Sequence, residues 1–569
     1  PTDFQVISFD TETLNGYCRL LADSDRNFIF TSYWREIMEF LTRPELHKAL
    51  KTFYNLEYDA RSIIKYLPVE VQHDLYYTNS ATYDGVTIRW LPGKVFTIKR
   101  KNRNYSYYDI AQFYGGSLDS NAERFLGENK ANYQVTELTE DDFRPDNQRI
   151  VDYCIKDCEL TRQLTELQRD KVHQLGISFY RPISKANLSE RFAIKHVKIP
   201  RPTRNSIQEL AFYSYAGGRF ELLKRGYFPY CYCYDINSAY PNIIKDLPNP
   251  FDCLSYVVDD YDRDARIGYY DITIEDLAEP YASPIVHEHR GINVFPNGEN
   301  IRRVVSQPEL EYIRRHVTKN YQVNRAYCLY EKTDARPFQF ITDLYKLRKE
   351  TEAEDPVFAK TIKIIMNSLY GKFWQVTKLL DNVTHENIEA DYMISNGDVF
   401  RLYKKKYKAG FFFNPVFASH ITASTRIQLL NIARKQLKNV IGFHTDSIIT
   451  TEPFIKEQAG LGNWSLEHEG EGVFLGTGMY TIRNEDKIKH RRRGGTSKNI
   501  TSWFDIIESN RERTKILMDI NHVVTLGDVF NFPNVFTLED LNKFRSISRT
   551  VSVNNDIKRN WHQEPTKYH

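Results

Sequence analysis

The chain has 569 residues, several times the common domain size, which predicts two to four domains. Apolar residues make up 41% and charged residues 27%, which excludes a chain too polar to build cores. The net charge of +3 is too small to name a partner by itself. No apolar run reaches the roughly 18–20 residues that span a bilayer. With Pro1 first and no visible signal peptide, the expectation is a soluble, intracellular monomer with no membrane partner. The seven cysteines lack the paired Cys-x-x-Cys layout of a zinc site and read as reduced, mostly buried thiols. Basic clusters at Lys99–Arg103, Lys404–Lys408 and Lys487–Arg493 lie near aromatics, a combination that can follow phosphates and stack bases.

In chain order, Phe4–Phe9 reads as a buried strand running into Asp10-Thr11-Glu12. Alternation puts Asp10 and Glu12 on one face, where two carboxylates repel unless a cation lies between them. Asn55-Leu56-Glu57-Tyr58-Asp59 opens an amphipathic helix, with Asp59 equally suited to cap it. From Ile150 the period is helical, and Tyr153 and Asp157 share a face with Ile150 and Leu160. An acid on an otherwise apolar face calls for a partner or a metal.

Further on, Tyr213–Phe220 carries the pair Gly217-Gly218, which permits close approach of the backbone to a ligand. Tyr230–Ile236 is rich in strand formers, holds Asp235 and turns sharply at Asn237–Pro241. Asp355-Pro356 starts a helix, by its cap and its proline, that is expected to reach Tyr370 and stop at Gly371. Lys360, Lys363, Asn367 and Tyr370 fall on one side of it, a face suited to a triphosphate, a sugar edge and a base. Arg348, just upstream, is expected to be a second phosphate clamp. Val440–Thr450 reads as a hairpin with a four-residue tip, His444-Thr445-Asp446-Ser447. Together Asp235 and Asp446 suggest a two-metal phosphoryl-transfer site.

The first three motifs, in this order and spacing, resemble the DEDDy type of proofreading 3′–5′ exonuclease domain. The resemblance makes Asp10, Glu12, Asp59 and Asp157 metal-binding acids and Tyr153 the residue that orients the attacking water. It makes Asn55, Tyr58, Ser117 and Leu118 contacts to single-stranded DNA. It assigns no position to the lysine that assists in related enzymes.

The later motifs resemble family B DNA polymerases. Tyr215, Gly217 and Gly218 match a template-binding motif. Asp235 and Asp446 match the two catalytic metal ligands, and Tyr240 the ring that excludes a ribose 2′-hydroxyl. Lys363, Asn367 and Tyr370 match the nucleotide-binding motif of the fingers, and Tyr480 a primer-strand contact. His444 stands where the family usually has an acid, and Gly478 where it has a lysine. If His444 titrates near its ordinary value of about 6.5, activity should fall below that pH.

About 120 residues separate the Asp235 motif from the fingers helix, and Phe373 to about Phe412 intervene after it. That layout resembles the protein-primed polymerases of small phages, linear plasmids and adenoviruses. It implies an α/β and α+β multidomain chain: an RNase H-like exonuclease domain, then a right-hand polymerase of palm, fingers and thumb with two family insertions. The expected boundaries are 1–175 exonuclease, 176–245 linker and first part of the palm, 246–338 insertion 1 and 339–372 fingers. Insertion 2 follows at 373–412, the rest of the palm at 413–500 and the thumb at 501–569.

The implied activity is DNA synthesis from a terminal protein primer, with strand displacement and proofreading. It would use two Mg²⁺ or Mn²⁺ ions per active site, DNA template and primer, dNTPs and, if phage-encoded, the host-cell cytoplasm. Two rivals remain: a primer-independent polymerase, and an exonuclease with a non-catalytic, DNA-binding palm.

Overall fold

The first sheet grows from the strand expected at the start of the chain. Val6–Leu14 places Ile7 and Phe9 on one face and Asp10 and Glu12 on the other. The Asn15-Gly16 turn, with φ of 52° and 82°, folds it back onto Tyr17–Asp23. Val6–Leu14 also runs parallel to Leu50–Phe53, which runs parallel to Arg103–Asp109. Phe28–Phe30 closes one edge, and Val95–Arg100, Val86–Leu91 and Ser80–Tyr83 extend the other to eight strands. An antiparallel hairpin whose first strand is joined by two further parallel strands is the arrangement expected of an RNase H-like layer. The helix Gln148–Gln174 packs on the face that carries Asp10, through Ile150, Val151, Cys154 and Leu160. The helix Leu56–Ile64 packs on the opposite face, against Phe9 and Phe53.

This is a computed structural model, and it describes residues 4–130, 138–199, 205–277, 283–289, 292–383, 392–396, 399–492 and 515–552. Its second main layer is a seven-stranded antiparallel sheet. The order is Ile488–Arg492, Met479–Arg483, Trp464–Gly476, Gly226–Ile236, Ser447–Thr450, Val440–Thr445 and Arg219–Leu222. The third basic cluster is therefore the edge strand of this sheet, while Arg493 lies outside the described residues. The helix Pro415–Ala433, capped by the Asn414 side chain, supports the sheet through Leu429, Leu430 and Ala433.

The segment assigned to insertion 1 forms a four-stranded sheet with the helix Gln307–His316. That assigned to insertion 2 forms the strands Val376–Val383, Tyr392–Asn396 and Val399–Ala409. All seven cysteines are free, and six are buried. Among the described residues, no helix is long and apolar enough to cross a membrane.

Two expectations about the helix after Asp355 need correction. It spans Pro356–Ser368, with the Asp355 carboxylate accepting from the Phe358 N–H at 2.9 Å. A further helical turn, Tyr370–Phe373, runs through Gly371, which therefore does not stop it. Lys360 also leaves the expected nucleotide face and donates to the Tyr114 carbonyl of the first layer. The helix base is fastened there by Gln168 Nε2 to Thr361 Oγ1 at 2.9 Å and by the Lys171–Asp355 ion pair at 2.6 Å.

The chain end returns to the first layer. Lys515–Val523 pairs with Phe544–Ser552, and between them Val524, Leu526, Phe530 and Leu541 enter the core formed with Ile63 and Ile64. Lys65 Nζ donates to the carbonyls of Asn15, Glu539 and Leu541 at 2.9, 2.9 and 2.7 Å. Asn542 accepts from Arg61 Nε at 3.1 Å and donates to the Tyr58 carbonyl at 3.2 Å. Residues 501–514 and 553–569 of the expected thumb lie outside the described residues. A Cβ on Gly16 would meet the Leu541 carbonyl oxygen at 2.6 Å, and its φ of +82° excludes most side chains. Gly16→Ala should cost about 1–2 kcal/mol from the left-handed backbone alone, plus the clash. Denaturant unfolding measures this, and unchanged stability would contradict the docking.

Candidate active sites

In the first layer the sequence motifs converge. Asp59 sits in the first turn of its helix but does not cap it. Its Oδ1 accepts from the Thr11 N–H at 3.2 Å and the Thr11 hydroxyl at 2.6 Å, which brings it to the Asp10 strand. Asp59 and Asp157 are 4% and 3% exposed. Burial first, then Asp157, Asp59 and Glu12, raises Asp10 well above the carboxylate range. Burial followed by Asp157 pushes Glu12 up to about 8. Burial pushes Asp59 up to about 7, against the Thr11 hydrogen bond. Divalent charge in such a pocket would offset this crowding. Asp157 Oδ1 is buried without a hydrogen-bond partner among the described residues, so the donor set fits a divalent ion.

Lys130 is the residue that the sequence reading missed. Its ammonium pairs with Asp157 Oδ2 and reaches the Tyr153 hydroxyl at 3.2 Å. Burial alone would lower this ammonium, but Asp157 and Asp10 outweigh it and raise it. Burial and Asp157 together push Tyr153 up to about 12, so its hydroxyl stays protonated and able to donate.

The residues expected to contact single strands divide. Asn55 is exposed at φ 66°, with its N–H held by Asp109 Oδ1 at 3.0 Å. The Tyr58 hydroxyl pairs with Thr13 Oγ1 at 2.8 Å. Ser117 is exposed and caps the helix Leu118–Leu126. Leu118 is 7% exposed and packs in the core with Phe113 and Tyr114, so its side chain is not a surface contact.

In the second layer, Asp235 lies opposite Ser447 in register, and the Ser447 hydroxyl donates to Asp235 Oδ1 at 2.8 Å. Pairing of His444 with Ser447 shortens the expected four-residue tip to Thr445-Asp446. Thr445 sits at φ 58°, a strained position for a β-branched residue. A Cβ on Gly218 would lie 2.8 Å from Thr445 Cγ2, so this glycine serves close approach to the tip. Burial, then Asp235, pushes Asp446 up to about 7. Burial raises Asp235 too, while Lys489 and Lys363 act to lower it. Both acids open into a cleft of about 520 Å³, also lined by Glu467, Gly478, Lys489 and Arg491.

His444 and Tyr480 depart from expectation. The His444 ring lies 4.6 Å from Phe220 and 4.7 Å from Tyr480 between centroids. Burial, then Lys489 and Arg491, pushes it down to about 3. It therefore stays neutral through the physiological range and is a packing residue of the hairpin, not a proton switch. Tyr480 is 1% exposed and stacks on Phe474, so it forms a wall of the cleft and offers no free stacking face.

Above the cleft, Lys363 and Asn367 are exposed one turn apart on their helix. Tyr370 packs on Tyr240 at 4.3 Å, and its hydroxyl meets that of Tyr215 at 2.7 Å. Three motifs distant in sequence thus share one tyrosine cluster. Arg348, on the preceding helix, donates to Glu352 one turn on at 3.3 Å, a partly exposed pair that a phosphate can displace.

Comparison with known proteins adds the family. Residues 91–405, more than half of the chain, match the model for DNA polymerase type B, organellar and viral. The chain belongs to this family. A DNA polymerase of Acidianus bottle-shaped virus (isolate Italy/Pozzuoli) is 23% identical over 364 residues, 59% of this chain and 47% of that relative. A DNA-directed DNA polymerase of Enterobacteria phage PRD1 is 24% identical over 302 residues, 49% of this chain and 51% of that relative. The chain thus spans about half the length of the curated relatives it matches.

Phi29 DNA polymerase, solved with primer-template DNA and incoming nucleotide, superposes with a TM-score of 0.69 at 16% identity, covering 96% of this chain and 99% of that one. The form solved with single-stranded DNA gives 0.68 at 17% identity, covering 97% and 100%. This type B chain therefore has the Phi29 polymerase fold along nearly its whole length.

Two outcomes follow for the type B chain. The acid limb of primer extension should track Asp446 and stay in place in His444→Phe; a pH–rate profile whose limb flattens would contradict the packing role. Lys130→Met should slow 3′-terminal hydrolysis of single-stranded DNA about 10–100-fold, and unchanged hydrolysis would remove Lys130 from the site.

Proposed function

We propose that the chain is a DNA-directed DNA polymerase that extends a terminal-protein primer, displaces the strand ahead and edits its own 3′ ends. The observation that carries this reading is the pairing of Asp235 with Ser447, which sets Asp446 beside it in an open cleft with Lys363 close enough to act on Asp235. Residues 1–175 would be the editing domain, 246–338 and 373–412 the two insertions, 339–372 the fingers and 501–569 the thumb. The palm would comprise 176–245, with its linker, and 413–500.

Asp235 and Asp446 would hold two Mg²⁺ or Mn²⁺ ions, and Asp10, Glu12, Asp59 and Asp157 another two. Bound there, such ions supply the positive charge that activates a hydroxyl or water and stabilises the leaving oxygen. The residues of the chain do the rest. Lys363 meets the triphosphate, and Asn367 and Tyr370 meet the sugar and base. Tyr240, whose ring packs on Tyr370, would exclude a 2′-hydroxyl. Tyr215, Gly217 and Gly218 lie along the template strand. In the first layer Tyr153 orients the attacking water, Lys130 holds Tyr153 and Asp157 in place, and Asn55, Tyr58 and Ser117 grip the frayed end. The priming partner donates a protein hydroxyl to the first nucleotide, and the setting is the host cytoplasm.

Primer extension with dNTPs and Mg²⁺ or Mn²⁺ tests the reading. Asp10→Ala/Asp59→Ala should extend a primer without trimming it, and Asp446→Asn should lose at least about 100-fold in extension. Failure of the editing-deficient variant to extend would overturn the polymerase. Synthesis on bare single-stranded template, without primer or terminal protein, would overturn the need for a protein primer.

A further inference from the structure

The helix that brings Tyr153 and Asp157 to the acid pocket also brings a thiol. Cys154 Sγ lies 3.5 Å from the Asp10 carbonyl oxygen and 3.6 Å from Asp10 Oδ2. One ligand atom from each of Asp10, Glu12 and Cys154 falls within 4.8 Å of the other two. The proposed editing reaction uses no sulfur, and Mg²⁺ and Mn²⁺ prefer oxygen ligands. We propose that Asp10, Glu12 and Cys154 form a mixed oxygen–sulfur site for a thiophilic divalent cation of the zinc or cadmium class. This site overlaps the all-oxygen ion sites of the same pocket.

The spacing fits such an ion. Zinc–sulfur and zinc–oxygen bonds of about 2.3 and 2.1 Å at a tetrahedral angle put the two ligand atoms about 3.6 Å apart. The separation of 3.6 Å between Cys154 Sγ and Asp10 Oδ2 meets this without movement of the backbone. Three protein ligands leave the fourth tetrahedral position to water. Asp157 Oδ1 belongs to a side chain 3% exposed and has no hydrogen-bond partner among the described residues. Among the charges around them, that of Asp157 acts on Asp10 and Glu12 most strongly.

Binding forms a metal–sulfur bond and breaks the S–H bond; the proton leaves to solvent, and nothing is oxidised or reduced. A thiophilic ion here would exclude the oxygen-seeking ions and arrest hydrolysis in the first layer. Among the described residues this is the thiol that stands with two carboxylates at ligand spacing. The site goes beyond the editing reaction and does not depend on it, because its occupancy is read from metal binding.

Cadmium titration of the full chain, followed by ultraviolet thiolate-to-cadmium charge-transfer absorption, tests the site. The wild type should show a saturable band at one ion per chain, and excess Mg²⁺ should move its midpoint to higher cadmium. Cys154→Ser should lose the band while keeping its thermal unfolding midpoint, and Cys158→Ser should keep the band. Where Cys154→Ser folds poorly, Glu12→Gln carries the test, with affinity expected to fall about 10-fold or more. A band that survives in Cys154→Ser, an affinity unchanged in Glu12→Gln, a midpoint indifferent to Mg²⁺, or no band in the folded wild type would overturn the proposal.

Discussion

Carboxylates crowded into poorly hydrated pockets repel one another, and much of this fold holds them there. Burial raises Asp10, Glu12, Asp59 and Asp157, and the neighbouring acids, Asp157 foremost, raise Asp10 and Glu12 further. Asp446 is raised by burial and by Asp235 at the second site. Such crowding opposes folding, because each charged form is disfavoured where it stands. The offsets are local and specific: the Thr11 hydroxyl on Asp59, the Lys130 ammonium on Asp157 and the Ser447 hydroxyl on Asp235. The strain of Thr445 at the hairpin tip belongs with them, since it turns Asp446 back toward Asp235.

The two acid sites are carried on separate sheets, yet the elements that serve them are fastened together. The base of the Pro356–Ser368 helix is tied to the first layer by Gln168, Lys171 and the Tyr114 carbonyl. The chain end returns to brace the helix that carries Asp59, through Arg61 and Lys65. Gly218 packs on the hairpin tip while Tyr215, three residues earlier, bonds to Tyr370. A strand passed between the sites would thus move over one continuous scaffold. The basic strand Ile488–Arg492 sends Lys489 and Arg491 into the central cleft, so one charge cluster legible only as a surface patch becomes part of a site.

Much of this was legible in the residues because the signals were local. Strand alternation puts Asp10 and Glu12 on one face, and Asp355-Pro356 marks a helix start by its chemistry alone. The long helix with Tyr153 and Asp157 follows from its period. What was hidden depends on contacts between distant segments. Lys130 is a lone lysine in a polar stretch, and only the fold brings it to Asp157. The burial of His444 is set by Phe220 and Tyr480, neither a sequence neighbour. Lys360 shares its helical face with Lys363, yet the first layer takes it away.

The account stands or falls on two ions held between Asp235 and Asp446 in the central sheet. Anomalous scattering from crystals of the chain grown with Mn²⁺, primer-template and a non-reactive nucleotide would locate them directly. The expected result is two manganese peaks about 3.5–4 Å apart, each within coordination distance of both carboxylates. Manganese confined to the pocket of Asp10 and Asp157, with no peak at Asp446, would contradict a polymerase centre and leave the second layer a surface that only binds DNA.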